Sequence, residues 1–324
     1  MAMKIVIGGP YPKGVFEKFE SMLAPTGAQV ISVSTQEEYE ALTEADIIVL
    51  RVLKMSEADM ERVKGLKAII RWGAGFDTVD IEAAGKRGIY VCNTPGANAF
   101  AVAELTIMMM LALGRKLTGH EKKIAQGDWS KLDFLDKSST LYHKTLGIVG
   151  GGNVGRQVAK RAAVFGMTVK YYDPYRLKPE MEEEFGMEYT SLEYLLKTAD
   201  FVSIHVPLMD STYHLIGKEQ LSLMKKSAYL INVARGGIVD DKALEEAVAS
   251  GNLAGAGIDT PEVEPPAADS GLRDNPDIIL TPHVGGDVPD VSEVAIPMIC
   301  ENIQKFLETG VPDHIVNGKY LQSA

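Results

Sequence analysis

Three short segments in the last third of the chain carry an arginine, a glutamate and a histidine, each just past a run suited to a strand. They are Asn232-Val233-Ala234-Arg235-Gly236-Gly237, Asp259-Thr260-Pro261-Glu262-Val263-Glu264 and Thr281-Pro282-His283-Val284-Gly285-Gly286. An imidazole can exchange a proton near neutral pH, a carboxylate can orient it, and a guanidinium can grip a carboxylate in a planar fork. Loops at the carboxyl ends of strands line the ligand crevice of open α/β sheets, so the three segments can converge there. Taken singly, each residue also has a plainer reading: Arg235 a surface ion pair, Glu264 a solvated loop carboxylate, His283 a turn histidine.

Upstream, Thr145-Leu146-Gly147-Ile148-Val149 leads into Gly150-Gly151-Gly152-Asn153-Val154-Gly155-Arg156 and then an amphipathic run to Phe165. The spacing G-x-G-x-x-G at Gly150, Gly152 and Gly155 follows a strand and opens a helix. Such a turn lets a pyrophosphate approach the backbone and meet the free N–H groups of the helix N-terminus. Arg156 and Gln157 stand where a nucleotide triphosphatase needs Lys and a hydroxyl, which excludes that class. Asp173 lies 18 residues beyond Gly155, at the end of the next strand, where a carboxylate reaches the adenosine ribose and favours NAD over NADP. Arg176, close by, is the residue that would serve a 2′-phosphate instead.

The elements that must position these groups follow a βαβ rhythm. Apolar runs at Met3–Ile7, Gln29–Val33, Asp46–Leu50, Ala68–Arg71 and Ile89–Val91 alternate with helical stretches at Tyr39–Thr43, Ser56–Val63 and Val79–Lys86, with Ser56 and Asp80 as caps. One long helix is expected over Phe100–Gln126. A second series has strands at Leu146–Val149, Thr168–Tyr172, Phe201–His205, Tyr229–Asn232, Gly255–Ile258 and Ile278–Thr281. Its helices fall near Gly155–Phe165, Ser191–Lys197, Lys218–Leu223 and Asp241–Ser250. Asp290–Thr309 reads as a helix kinked at Pro297. The expected fold class is α/β, with two doubly wound parallel-sheet domains of Rossmann-like and flavodoxin-like type and a cleft between them.

Composition narrows the function. The 324 residues are 46% hydrophobic and 24% charged, an ordinary globular balance, with 33 Lys and Arg against 44 Asp and Glu for a net charge of −11. That charge disfavours nucleic acid and anionic membranes as partners and leaves room only for small, specific anion sites. No apolar run approaches the length of a membrane span. Cys92 and Cys300 form neither a disulfide framework nor a zinc motif, no metal is expected, and a reducing cytoplasm fits.

Across nearly its whole length the sequence resembles the D-isomer-specific 2-hydroxyacid dehydrogenases, which include phosphoglycerate, glyoxylate/hydroxypyruvate and D-lactate dehydrogenases. The resemblance is carried by Lys67–Asp77 (Lys-Ala-Ile-Ile-Arg-Trp-Gly-Ala-Gly-Phe-Asp), Asn93-Thr94-Pro95-Gly96, Ala103-Glu104-Leu105 and Lys144–Gly147 with the Gly loop. It continues through His205-Val206-Pro207-Leu208, Asn232–Asp240, Thr281–Gly286 and Ile315-Val316-Asn317. It implies that Arg235, Glu264 and His283 are catalytic, acting on a 2-hydroxy or 2-oxo acid with NAD(H). His283 would donate the proton, Glu264 would stabilise the imidazolium, and Arg235 would bind the carboxylate and polarise the carbonyl. Glu264 also separates the chain from formate dehydrogenases, which pair the histidine with Gln.

By the same resemblance, Gly150, Gly152, Asn153, Val154, Gly155, Asp173, Val206, Thr212, Val233, Ala234, Asp259 and Gly285 line the cofactor. Backbone N–H groups at Ala74 and Gly75 hold the substrate carboxylate, and Arg51 meets its distal group. An ungapped comparison with phosphoglycerate dehydrogenases puts Leu50 at their arginine and Val52 and Leu53 at their Ser and Thr, which puts phosphoglycerate itself in doubt. The resemblance further implies a discontinuous substrate domain, 1–100 plus 292–324, around an NAD domain, 101–291. It also implies a homodimer using the Met108–Leu113 face and the arm that follows. The competing expectation is a non-enzymatic NAD(H) sensor like the corepressors built on this scaffold.

Overall fold

Runs such as Ile47-Ile48-Val49-Leu50 and Leu146-Gly147-Ile148-Val149 are buried throughout, as expected for parallel strands covered by helices on both faces. In the computed structural model, which describes residues 2–321, they build two α/β units: Met1–Asn98 with Val288–Ala324, and Ala99–Asp287.

The first unit holds β1 (Lys4–Gly8), β2 (Gln29–Val33), β3 (Ile47–Leu50), β4 (Ala68–Arg71) and β5 (Tyr90–Cys92), all parallel in the order β2-β1-β3-β4-β5. The order reverses between β1 and β3, and the crevice beyond their carboxyl ends is a natural ligand position. Gly9 and Arg51 stand there; Gly9 has φ 127°, and a Cβ on it would overlap the Arg51 carbonyl oxygen. The C-terminal helix Ser292–Thr309 packs on Val15–Leu23. Beyond it, buried Asn317 accepts from the Val91 N–H at 2.9 Å and donates to the Ile89 carbonyl at 2.8 Å, which ties the returning chain to β5.

The second unit holds β6 (Thr145–Val149), β7 (Thr168–Tyr172), β8 (Met187–Tyr189), β9 (Phe201–Ile204), β10 (Tyr229–Asn232), β11 (Gly255–Ile258) and β12 (Ile278–Leu280). They are parallel in the order β12-β11-β10-β9-β6-β7-β8. The chain enters mid-sheet at β6, runs to one edge and returns to β9. The β6/β9 boundary is therefore this sheet's switch point.

Several expectations about the elements need correction. The long helix is two, Ala99–Gly114 and Leu117–Ala125. Lys116 breaks it, taking φ 51° so that its buried ammonium reaches Asp277 at 2.8 Å and the Ala254 carbonyl at 3.2 Å. The helix expected at Tyr39–Thr43 spans Gln36–Glu40, started by a capping box between Thr35 and Glu38. Strand β8 is additional to the expected set, a three-residue edge, Met187-Glu188-Tyr189, whose one charged position hides it in the sequence. Ser292–Thr309 is helical through Pro297, preceded by a 3₁₀ turn at Pro289–Val291. Ser56 and Asp80 do cap their helices, accepting from the Asp59 and Ala83 N–H groups.

Candidate active site

At the switch point of the larger sheet, β6 ends in the glycine turn and the helix Asn153–Val164 begins. Gly150 has φ 108°, and a Cβ there would press into the His205–Val206 peptide at the end of β9. At Gly155 a Cβ would overlap the Gly150 carbonyl oxygen, so glycine is what lets the helix approach the turn. Gly152 differs: nothing lies within 4 Å of where its Cβ would sit, and no side chain caps this helix. An open backbone surface and uncapped N–H groups fit a pyrophosphate.

Asp173, just past β7, accepts from the Gly151 N–H at 2.8 Å and the Tyr175 N–H at 2.9 Å, so its carboxylate is held beside the turn with lone pairs left for a sugar diol. Arg176 is engaged elsewhere, donating from Nε and Nη2 to Glu182 at 2.8 and 2.9 Å. Arg176 and the Tyr171 hydroxyl hold the Glu182 carboxyl down to about 2, so the pair stays charged. His205 stands beside the glycine turn, its N–H donating to the Val149 carbonyl at 2.7 Å. Burial pushes it down to about 3, leaving it neutral with Nε2 2.8 Å from the Ser203 hydroxyl.

The Arg, Glu and His loops leave the carboxyl ends of β10, β11 and β12, the same end of the sheet as the glycine turn. His283 Nδ1 lies 3.1 and 3.2 Å from the two Glu264 carboxylate oxygens. Both side chains are a little under half exposed, so the contact contributes orientation more than stability. With Nδ1–H donating to Glu264, Nε2 is left to hold or release a proton. A cavity of about 280 Å³ beside the pair is lined by Pro261, Pro265, Arg273, Leu280 and Pro282.

His283 takes φ 55°, a conformation that a non-glycine residue keeps only when its surroundings dictate it. Asp259 supplies that constraint. Its carboxylate, almost wholly buried, accepts from the Thr281 hydroxyl at 2.6 Å and the Val284 and Gly285 N–H groups at 2.9 and 2.8 Å, while its carbonyl accepts from the His283 N–H at 2.9 Å. Two residues expected to face the cofactor, Asp259 and Gly285, are thus joined to each other. Arg235 donates from Nη1 to the Ala234 carbonyl at 2.7 Å. Val206 and Val233 are buried in the sheet's apolar core, and the Thr212 hydroxyl donates to the Pro207 carbonyl at 2.7 Å within its own turn.

In the smaller unit, Ala74 and Gly75 follow β4, and among the described residues no backbone carbonyl accepts from their N–H groups. The turn is propped from beneath: Arg71 donates to the Gly75 and Leu50 carbonyls at 3.3 and 3.2 Å, and Asn93 to the Ala74 carbonyl at 2.7 Å. Arg51 donates to the Pro10 carbonyl and lies 5.8 Å from the Tyr11 ring centre. Arg71 and Asn232 are further polar residues of the site that the motifs do not mark. A charge ending an apolar strand and an amide ending another were the available signals. Buried Asn232 joins two loops, donating to the Arg235 and Thr260 carbonyls at 3.0 and 3.4 Å and accepting from the Ala234 N–H at 3.1 Å.

A dinucleotide cradle at a doubly wound sheet's switch point, with an Arg, Glu and His set at the same end, defines a nicotinamide-dependent oxidoreductase. The chain belongs to the D-isomer specific 2-hydroxyacid dehydrogenases, whose NAD binding domain model matches residues 107–285. It is 41% identical to a glyoxylate reductase of Thermococcus litoralis over 88% of this chain and 87% of that one. It is 38% identical to the D-3-phosphoglycerate dehydrogenase of Methanocaldococcus jannaschii over 97% of its own length but only 59% of that relative's. The structure of D-lactate dehydrogenase from Aquifex aeolicus, solved with NAD and lactic acid, superposes with a TM-score of 0.82 at 29% identity, covering 97% and 99% of the two chains. NAD(H) is the cofactor.

Proposed function

We propose that the protein interconverts a short D-2-hydroxy acid and its 2-oxo acid, with His283 and Glu264 as the acid–base pair and Arg235 as the carboxylate-binding and carbonyl-polarising group. The observation that carries this is the contact of His283 Nδ1 with both Glu264 oxygens at the carboxyl end of the sheet that bears the glycine turn. When bound, NADH supplies the hydride. The chain's own contribution is then to hold the acid and manage one proton. Arg235 binds the carboxylate by a planar fork and steadies negative charge on the carbonyl oxygen as it develops. Nε2 of His283 gives that oxygen its proton, and Glu264 compensates the imidazolium before transfer and keeps the ring in register. In the oxidation direction the same nitrogen takes the hydroxyl proton.

In the smaller unit we propose a substrate role for Arg51 and for the Ala74 and Gly75 N–H groups. Val52 and Leu53 beside Arg51 offer no hydroxyl to a phosphate, which favours a glyoxylate- or hydroxypyruvate-like acid over a phosphorylated one. The relatives' enzyme names and the complete His–Glu–Arg set favour turnover over sensing. NADH oxidation with glyoxylate, hydroxypyruvate, phosphohydroxypyruvate, pyruvate and branched-chain oxo acids is the test. Turnover with the first two is expected, and no turnover with any would overturn the proposal.

We also propose a homodimer in the cytoplasm. Met108, Leu117 and Phe165 are exposed along an apolar groove of about 490 Å³, and Trp129, Leu132 and Leu135 on the following arm are more exposed still. Such a surface is costly to leave in water. Light scattering should give twice the chain mass, and a monomer at micromolar concentration would remove the dimer.

A further inference from the structure

The loops bearing Arg235 and Glu264 are both tied to a third segment, Tyr213–Ile216, which the proposed chemistry does not use. Glu262 is where the ties meet. Its Oε1 accepts from the Tyr213 hydroxyl at 2.9 Å, its Oε2 lies 3.1 Å from His214 Nε2, and its N–H donates to Asp241 Oδ2 at 2.6 Å. His214 in turn donates its N–H to the Gly237 carbonyl at 2.7 Å, and its Nδ1 lies 3.9 Å from Asp240 Oδ2. The strap continues along the Arg235 loop: the Ile216 N–H donates to the Ile238 carbonyl at 3.1 Å, and the Asp240 N–H to the Ile216 carbonyl at 3.1 Å.

The two loops have no slack between them. A Cβ on Gly236 would overlap the Pro261 carbonyl oxygen and come within 2.8 Å of Glu262 Cα. His214 holds φ 48° with its ring stacked on Tyr213 at 4.0 Å between centres. That conformation lets one residue offer its N–H to Gly237 and its imidazole to Glu262. The Glu262 and His214 side chains are each about one-third exposed, so as an ion pair they add little stability. What they fix is where two loops lie.

We infer that Glu262, gripped by Tyr213 and His214, is a positioning residue that sets the Glu264 loop against the Arg235 loop. It thereby sets the spacing of the carboxylate-binding guanidinium from the acid–base pair; the inference rests on the hydride-transfer reading above. Glu262 is two residues from Glu264, and Gly237 two from Arg235. Slack at the strap would thus lie two residues from the reacting groups on each loop, where a displacement of about 1 Å can cost about 100-fold in rate.

The test compares the full-length wild type with E262A and E262Q, the second of which keeps an acceptor for Tyr213 and a polar partner for His214. E262A should lower kcat/KM for the accepted oxo acid about tenfold or more, chiefly through kcat, with NADH affinity changed less than about twofold, while E262Q stays within about threefold. With the strap already cut by Y213F/H214A, E262A should add less than about twofold, because it acts through those two contacts. Amide hydrogen exchange over 235–240 and over 259–266 should rise together in E262A and not in E262Q. Unchanged kcat/KM in E262A, a fully additive loss with Y213F/H214A, or exchange raised around residue 262 alone would each overturn the assignment. If the wild type reduces no oxo acid, the hydride-transfer reading fails, while joint exchange of the two loops still decides whether the strap exists.

Discussion

The Asp259 carboxylate and the Gly285 amide meet at 2.8 Å, and this contact, with the parallel one from Val284, closes the turn that carries His283. Asp259→Asn keeps the volume but leaves one oxygen where two accept, and sets an amide N–H₂ against a backbone N–H. A buried donor left unpaired costs about 1–3 kcal/mol. D259N should therefore lower the denaturant midpoint. It should also reduce kcat/KM by about tenfold or more, since His283 loses the constraint on its left-handed backbone. Wild-type turnover in a folded D259N would show that the turn holds itself.

For the pair itself, His283→Ala removes the only proposed proton donor while leaving the glycine turn intact. We expect kcat to fall by about two orders of magnitude or more, with NADH affinity measured by fluorescence titration within about threefold of wild type. Glu264→Gln preserves a hydrogen-bond partner for Nδ1 and loses its charge, so a smaller loss is expected. Near-normal turnover in H283A would take His283 out of the mechanism.

These residues were legible because strand-then-turn chemistry is written locally. Ile278–Leu280 is apolar and Thr281-Pro282 ends it, so His283 had to follow a strand, and G-x-G-x-x-G needs only its own neighbours to be read. The break at Lys116 was not legible, because what turns the chain there is an ammonium reaching Asp277, 161 residues away. The contacts of Asp259 are hidden from the sequence for the same reason. Its partners at 281, 284 and 285 come from the next strand's loop, and only the β11–β12 register brings them together. His214 and Glu262, 48 residues apart, gave no local sign of each other.

We propose that cofactor preference turns on Asp173 and on the pairing of Arg176 with Glu182. In the proposed site Asp173 would repel a 2′-phosphate, and Arg176, which could attract one, is held by a bidentate contact. Glu182→Ala alone should raise kcat/KM for NADPH only a few-fold, about threefold, because Asp173 still opposes it. Asp173→Ser with Glu182→Ala removes the repulsion and frees the guanidinium together, and should raise the NADPH/NADH ratio by about two orders of magnitude. Steady-state rates with both cofactors measure this, and a ratio unmoved in the double variant would place the adenosine ribose elsewhere.

Asp241, whose Oδ2 accepts from the Glu262 N–H, has its other oxygen buried without a partner among the described residues. Burial is the main cause that pushes its carboxyl from 3.8 up to about 6, with Glu262, Glu245 and Asp240 adding repulsion against the helping hydrogen bond. The folded chain thus keeps this proton to about pH 6, while the unfolded chain releases it near pH 3.8. Between those values the native state binds more protons than the unfolded state, so this group's contribution to stability falls as pH rises and stays lower above the window. Asp241→Asn imitates the protonated form at every pH. Relative to wild type it should therefore gain stability from pH 4 to pH 7, by about 1 kcal/mol once the group's partial exposure is allowed for. Urea midpoints at the two pH values give the comparison. A D241N-minus-wild-type difference that does not grow with pH would mean that Asp241 is already ionised in the folded protein at pH 4.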